Sequence, residues 1–308
     1  MKKFKLEWQT ARQKYSLELG GARTCIMGII NTTPDSFSDG GRYLKCDAAV
    51  EHGLKLADDG ADIIDIGGES SRPFSDPVSV QEELDRVVPV IERLSAQIDI
   101  PISIDTVKSE VAKVAIEAGA SIINDITALE KDDLMSSVAV EKGVPVILMH
   151  MKGTPATMQI NPQYDDFLNE IMSYLKKRAE SAINAGIPPE HIIVDPGIGF
   201  GKTVEHNLMV IKSLDKIALL GFPILVGPSR KSFVQKVLAG STNPKSSKSD
   251  IIDKVSNNIT PSSPKTEIGT MAAVAASIMN GAHIVRVHDA ASARAVANII
   301  NAVQNVNV

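Results

Sequence analysis

The sequence predicts an α/β protein built as a single (β/α)₈ barrel, a closed parallel sheet wrapped in helices, and three observations lead there. Eight short apolar runs rich in Ile and Val are bounded by turn residues, as buried parallel strands are. Stretches with the 3.6-residue period of an amphipathic helix alternate with them. The chain has 308 residues, 44% of them hydrophobic, enough to bury one large core. Eight such units in this length favour a closed barrel over a doubly wound sheet.

Residues 1–24 precede the alternation. There KLEWQTARQKYSLELGGARTC reads as two short strands around a polar middle, a hairpin of the same domain that plugs the bottom of the barrel. The barrel domain, 25–308, supplies the strands CIMGIIN (25–31), DIIDIG (62–67), PISID (101–105), SIIND (121–125), VPVILMH (144–150), HIIVD (191–195), FPILVG (222–227) and HIVRVH (283–288). Between them Val80, Leu84, Val87, Val88, Ile91 and Leu94 share one helical face, and Val107, Val111, Val114, Ala115 and Ala118 another. Ser79 with Glu82 reads as a capping box, and Gly119 sits where a helix ends. Residues 240–266, GSTNPKSSKSDIIDKVSNNITPSSPKT, are too polar for a core and read as a flexible insertion after the seventh strand.

A formal charge of -5 and a pI near 5.7 argue against a nucleic-acid or anionic-membrane surface, since either needs a basic stripe. The opening MKKFKLEWQTARQ has no apolar segment behind its basic residues, so it is not a signal peptide. The longest apolar run, IALLGFPILVG, is too short to span a bilayer. Cys25 and Cys46 form neither a disulfide framework nor a zinc site. The expected setting is cytoplasmic.

In such barrels the active site lies at the C-terminal strand ends. The residues there are Asn31, Asp65, Asp105, Asn124 with Asp125, His150, Asp195, Ser229 to Lys231, and Arg286 with His288. Any one polar strand end is as well explained by the loop that follows; a full set aimed at one mouth points to a ligand. Asp105, Asn124 and Asp195 complement a flat heterocycle presenting N–H groups on one edge. Arg286 and His288, at the end of the last strand, fit an anion; GPSRKSF contributes Arg230 and Lys231 at the preceding strand, where basic surface residues are common and Lys231 is the sharper candidate. In GIGFGKT the P-loop spacing fails by one residue, because Pro196 stands where its first glycine belongs. His150 and His288 have no metal-ligand spacing to other donors.

These residues fall in blocks that resemble the dihydropteroate synthase family: MGIINTTPDSFSDGG, GADIIDIGGESSRP, ISIDT, INDI, MHMKGTP, DPGIGFGKT, GPSRKSF and RVHD, in family order from residue 25 to the end. The resemblance implies a pterin-binding barrel that joins 6-hydroxymethyl-7,8-dihydropterin pyrophosphate to para-aminobenzoate in folate biosynthesis. Pyrophosphate is released, and sulfonamides imitate the aminobenzoate. It implies catalytic roles for Asp105, Asp195, Lys231, Arg286 and His288. The pterin would meet Asp105, Asn124, Asp195 and Lys231, with Met149 as a wall and Asp65 in a lesser part. Asn31, Arg286 and His288 would hold the pyrophosphate, Asn31 also ligating Mg²⁺. Phe37, Ser71, Arg72, Pro73, Phe200 and Ser232 would form the aminobenzoate pocket under two mobile loops, 32–43 and 68–78. A homodimer through late barrel helices is implied as well. This chain departs from the pattern at Ser71, where threonine is common, and at Phe74, Ser75 and Asp76, where small residues are. Two other readings stand beside it: a pterin-binding methyltransferase, which needs no pyrophosphate site, and a non-catalytic pterin-binding relative.

Overall fold

The computed structural model describes residues 2–21, 23–33, 42–70 (backbone alone for 42–45), 76–155, 157–240 and 260–306. Two antiparallel strands, β1 (Phe4–Gln9) and β2 (Lys14–Leu19), open the chain. Eight parallel strands follow: β3 (Cys25–Asn31), β4 (Ile63–Gly67), β5 (Ile102–Asp105), β6 (Ile122–Asp125), β7 (Val146–Met149), β8 (Ile192–Asp195), β9 (Leu225–Val226) and β10 (Ile284–Val287). They pair in sequence order from β3 to β8, and β10 lies between β9 and β3. A bridge from Val194 to Ile224, with Val194 N–H donating to Pro223 at 2.9 Å, joins β8 to β9 and closes the ring. All eight expected strands are present, and the barrel forms as the sequence predicts.

Burial explains why the runs are continuous rather than alternating. One face of each strand fills the barrel and the other meets helices, so β4 is buried at every position from Ile63 to Gly67. Helix Val80–Ser95 packs with Val87, Val90, Ile91 and Leu94 inward, whereas Val80, Leu84 and Val88 are half-buried at the edge of that face. Ser79 caps it by accepting from Glu82 N–H, but the Glu82 carboxylate turns to Arg86, so the reciprocal half of the expected capping box is missing. Gly119 ends helix Ser109–Ala118 with φ of 127°, a conformation that side chains resist.

Leu6, Trp8, Leu17 and Leu19 give the hairpin a buried face. It is tied to the lower rim by His191 Nε2 with Glu7 O (3.0 Å), His283 Nε2 with Lys2 O (3.2 Å) and Gln13 Nε2 donating to Asp99 O (3.1 Å). Each rim residue precedes a barrel strand, so the hairpin covers the end opposite the mouth.

The segment expected as an insertion, 240–266, is shorter at its far end. Helix Pro264–Met279 begins inside it, with Ser263 accepting from Thr266 N–H, because Ser-Pro is an N-cap followed by the one helical position that suits proline. Residues 241–259 lie outside the described residues. Among the described residues no helix is long and apolar enough to cross a membrane.

Candidate active site at the mouth of the barrel

Strand register gathers the polar residues. Asn31 lies opposite Gly67, Gly67 opposite Asp105, Asp105 opposite Asn124, and Met149 opposite Asp195. Consecutive strand ends therefore meet at one rim. Asn31 closes β3 half-buried, and the chain leaves it through Thr32, whose N–H and Oγ1 both donate to Gly67 O at 2.9 and 3.0 Å.

One cluster joins four strands, β4, β5, β6 and β10. Arg286 donates through Nε to Asp65 Oδ2 at 2.6 Å and through Nη2 to Asp105 Oδ2 at 2.8 Å. Asn124 Nδ2 donates to Asp65 Oδ2 at 3.2 Å. Asp65 is fully buried beneath both. The sequence reading separated an acidic ring-binding set from a basic anion set; the structure interleaves them, because β10 and β4 flank β3 and a long Arg side chain reaches across it. Asp65 thus orients Asn124 and Arg286, and one amide hydrogen of Asn124 is already committed.

Burial pushes the Asp105 carboxyl upward, and neighbouring Asp65, Glu83 and Asp125 add to this, while Arg286 opposes them. Asp195 is pushed up to about 6 by burial, against the Gly197 N–H and the charges of Lys202, Lys231 and Arg286. Its Oδ1 accepts from Gly197 N–H at 2.7 Å, which turns the chain at the end of β8. Gly197 has φ of 72°, and a Cβ there would lie 1.9 Å from His150 O, so no other residue fits. A second, small apolar cluster of Met149, Met158 and Phe200, flanked by Ile126 and Met151, stands apart from the main core. Flat apolar walls beside inward-facing acceptors suit a polar ring.

Lys231 Nζ lies over the Phe200 ring, 4.1 Å from its centroid. His288 is held by Ser229, whose Oγ lies 2.9 Å from Nδ1 and accepts from the His288 backbone N–H at 3.3 Å. Ser232 is exposed at the start of helix Ser232–Leu238. Arg230, the less favoured of the two basic residues, sits at φ of 56° and its Nε donates to Glu267 Oε1 at 2.5 Å, on helix Pro264–Met279. Asp125 also has a local task, accepting from Thr127 and Leu129 N–H at 2.7 and 3.0 Å to shape the loop after β6. A cavity of about 410 Å³ opens beside Asp105, lined by Thr106, Ile126, Thr127 and Met151. It covers one side of the mouth and does not reach Asp195. Phe37, Ser71, Arg72 and Pro73 lie outside the described residues, as do Phe74, Ser75 and the rest of 34–41 in the first expected loop.

The family model for pterin binding enzymes matches residues 27–288. A dihydropteroate synthase of Synechocystis is 44% identical over 270 residues, 87% of this chain and 86% of the relative. The chain belongs to the dihydropteroate synthase family. A Yersinia pestis dihydropteroate synthase in complex with a sulfonamide drug superposes with a TM-score of 0.83 at 38% identity, covering 98% of this chain and all of that one. A Xanthomonas albilineans dihydropteroate synthase with 4-aminobenzoic acid gives 0.82 at 39% identity, with the same coverage. The chain is accordingly a transferase that condenses 6-hydroxymethyl-7,8-dihydropterin pyrophosphate with para-aminobenzoate in folate biosynthesis.

Two features escaped the sequence reading. The orienting role of Asp65 depends on a β10 neighbour more than 200 residues away, which no local pattern reveals. Lys202, set aside with the failed P-loop, is 3% exposed and touches His150 and Phe200. Its only signal was position, a lysine in a glycine-rich turn directly after a strand-end aspartate.

Proposed function

We propose that the mouth divides the family reaction into a ring half and a leaving-group half that meet at Arg286. Asp105, Asn124 and Asp195 hold the edge of the pterin, with Met149 as its wall and Lys231 beside it. Asp65 acts from beneath. Arg286, His288 and Asn31 face the pyrophosphate. The observation that supports this most strongly is the cluster itself: one guanidinium bonded to both Asp65 and Asp105, on the rim where β3 delivers Asn31.

The chemistry follows from charge. Loss of pyrophosphate leaves positive charge on the electron-rich dihydropterin, and ionised Asp105 and Asp195 stabilise that state more than the neutral ring. Arg286 favours departure by attracting the developing negative charge. It can shift towards the phosphate because Asp105 gains ring N–H donors in exchange. The aminobenzoate nitrogen attacks as a neutral amine, so no strong base is required. Phe200, Ser232 and the Phe37, Ser71, Arg72 and Pro73 positions form its pocket, which a sulfonamide would also fill.

The donor set fits Mg²⁺. Among the described residues no three His, Cys, Asp or Glu side chains form a metal cage, while Asn31 offers one hard oxygen beside the anion site. Mg²⁺ favours such sites, taking one or two protein oxygens and the rest from phosphate and water. When bound it supplies charge neutralisation on the pyrophosphate. Exposed Leu208, Met209, Leu238 and Ile268 on late helices support a homodimer, and sedimentation at monomer mass would count against it. Two free cysteines, one buried, suit a cytoplasmic setting.

The methyltransferase reading has less support, because it leaves the Arg286, His288 and Asn31 group without a task. Calorimetric titration of hydroxymethylpterin into wild type and Asp105→Ala tests the assignment. Loss of binding supports it, and near-wild-type affinity sinks it.

A further inference from the structure

Lys202 is buried with no carboxylate in contact, although Asp195 attracts its charge from farther off. Among the described residues no carboxylate lies within ion-pair distance of its Nζ; the contacts are His150 Nδ1 at 3.0 Å, Phe200 O at 3.1 Å and His150 O at 3.4 Å. An ammonium has three protons and no acceptor, so three acceptors satisfy it completely. For His150 Nδ1 to accept, the imidazole must be neutral with its proton on Nε2, and burial does push His150 down to about 3. A methionine would fill the same volume without the cost of burying a charged group. The amine is therefore held for what it ties together.

What it ties is the end of β7 to the loop after β8. That loop, Gly197 to Thr203, is strapped from three further sides. Gln159 Nε2 donates to Gly199 O at 2.6 Å, Tyr164 Oη to Gly201 O at 2.7 Å, and Gly199 N–H to Asn207 Oδ1 at 2.7 Å. Only Lys202 holds the Phe200 carbonyl among the described residues. Phe200 in turn offers its ring to Lys231.

We propose that Lys202 is a positioning residue for the aminobenzoate half of the reaction, fixing the Phe200 ring by tying its carbonyl to the exit of β7. This rests on the assignment of Phe200 to the aminobenzoate pocket. Lys202 itself does not touch substrate.

The test compares Lys202→Met, Gln159→Ala and Phe200→Ala by steady-state kinetics, with hydroxymethylpterin binding measured by calorimetry. A merely structural role lowers the active fraction, and so apparent kcat, but leaves KM alone. The expected result is a KM for aminobenzoate raised about tenfold in Lys202→Met and less in Gln159→Ala, near 1.4 kcal/mol for the former, with pterin affinity kept within about threefold. A raised KM in Phe200→Ala with none in Lys202→Met overturns the inference. Unchanged KM in Phe200→Ala overturns instead the assignment beneath it. If Lys202→Met does not fold, Gln159→Ala decides, since it removes a half-buried strap one residue from Phe200, and an unchanged KM there overturns the inference.

Discussion

Asp195→Asn separates recognition from folding better than any other change at this site. Asparagine is nearly isosteric, and its carbonyl oxygen can still accept from Gly197 N–H, the 2.7 Å bond that turns the chain after β8. What changes is the second oxygen. As carboxylate it accepts from a ring N–H; as amide nitrogen it donates, and donor meets donor. One charge-assisted hydrogen bond is worth about 1.5–3 kcal/mol, so pterin affinity should fall by roughly 10- to 150-fold at pH 8. Stability should not fall. Burial raises the folded carboxyl to about 6 from its ordinary 3.8, so below pH 4 its protonated form carries a stabilising contribution that is lost as pH rises through 6. Asparagine never ionises and retains that contribution. Calorimetry of hydroxymethylpterin from pH 5 to 8 reads the affinity, and urea unfolding over the same range reads the stability. Wild-type affinity should drop below pH 6 as Asp195 takes up its proton, whereas the variant should lose that component. Affinity within threefold of wild type at pH 8, or the same pH profile in both, would refute the reasoning.

Further changes probe the neighbours. Arg286→Ala should weaken the pyrophosphate-bearing substrate far more than bare hydroxymethylpterin, and equal losses would contradict its anion role. Asp65→Ala leaves Arg286 and Asn124 each short of a buried partner. It should cost about 3–5 kcal/mol in urea unfolding, by analogy with breaking buried ion pairs, and a loss under 1 kcal/mol would show that Asp65 orients nothing. Gly197→Ala puts a Cβ against the His150 carbonyl and should abolish soluble expression or lower the melting temperature steeply; a normal melt would mean the turn relaxes freely. Removing residues 243–258, which spares the Ser263 cap, should leave fold and rate intact if the polar composition has been read correctly, and insoluble protein would show otherwise.

The barrel was legible because its strands are buried on both faces. Ile-rich runs such as DIIDIG cannot be amphipathic helices in so few residues, and each ended in a turn. β9 was overestimated, since 222–227 is apolar throughout but only Leu225–Val226 pairs regularly. Strand ends located Asp105, Asn124 and Asp195 because position along a strand is a local property. Partnership is not local. Arg286 reaches Asp65 and Asp105 through the closure of the barrel, and Arg230 turns away because Glu267 waits on a later helix. Lys202 was lost for a related reason: its acceptors come from β7 and from its own turn, and a motif rejected for phosphate left no other question to ask of it.

The central claim is that one mouth couples ring recognition to pyrophosphate departure. Its most direct measurement is pyrophosphate release by the purified enzyme with pterin pyrophosphate, para-aminobenzoate and Mg²⁺, leaving out each in turn. Release that needs all three, and that falls in Arg286→Ala while pterin binding persists, is the result expected here. Equal release without aminobenzoate, or pterin binding with no release at all, would contradict it.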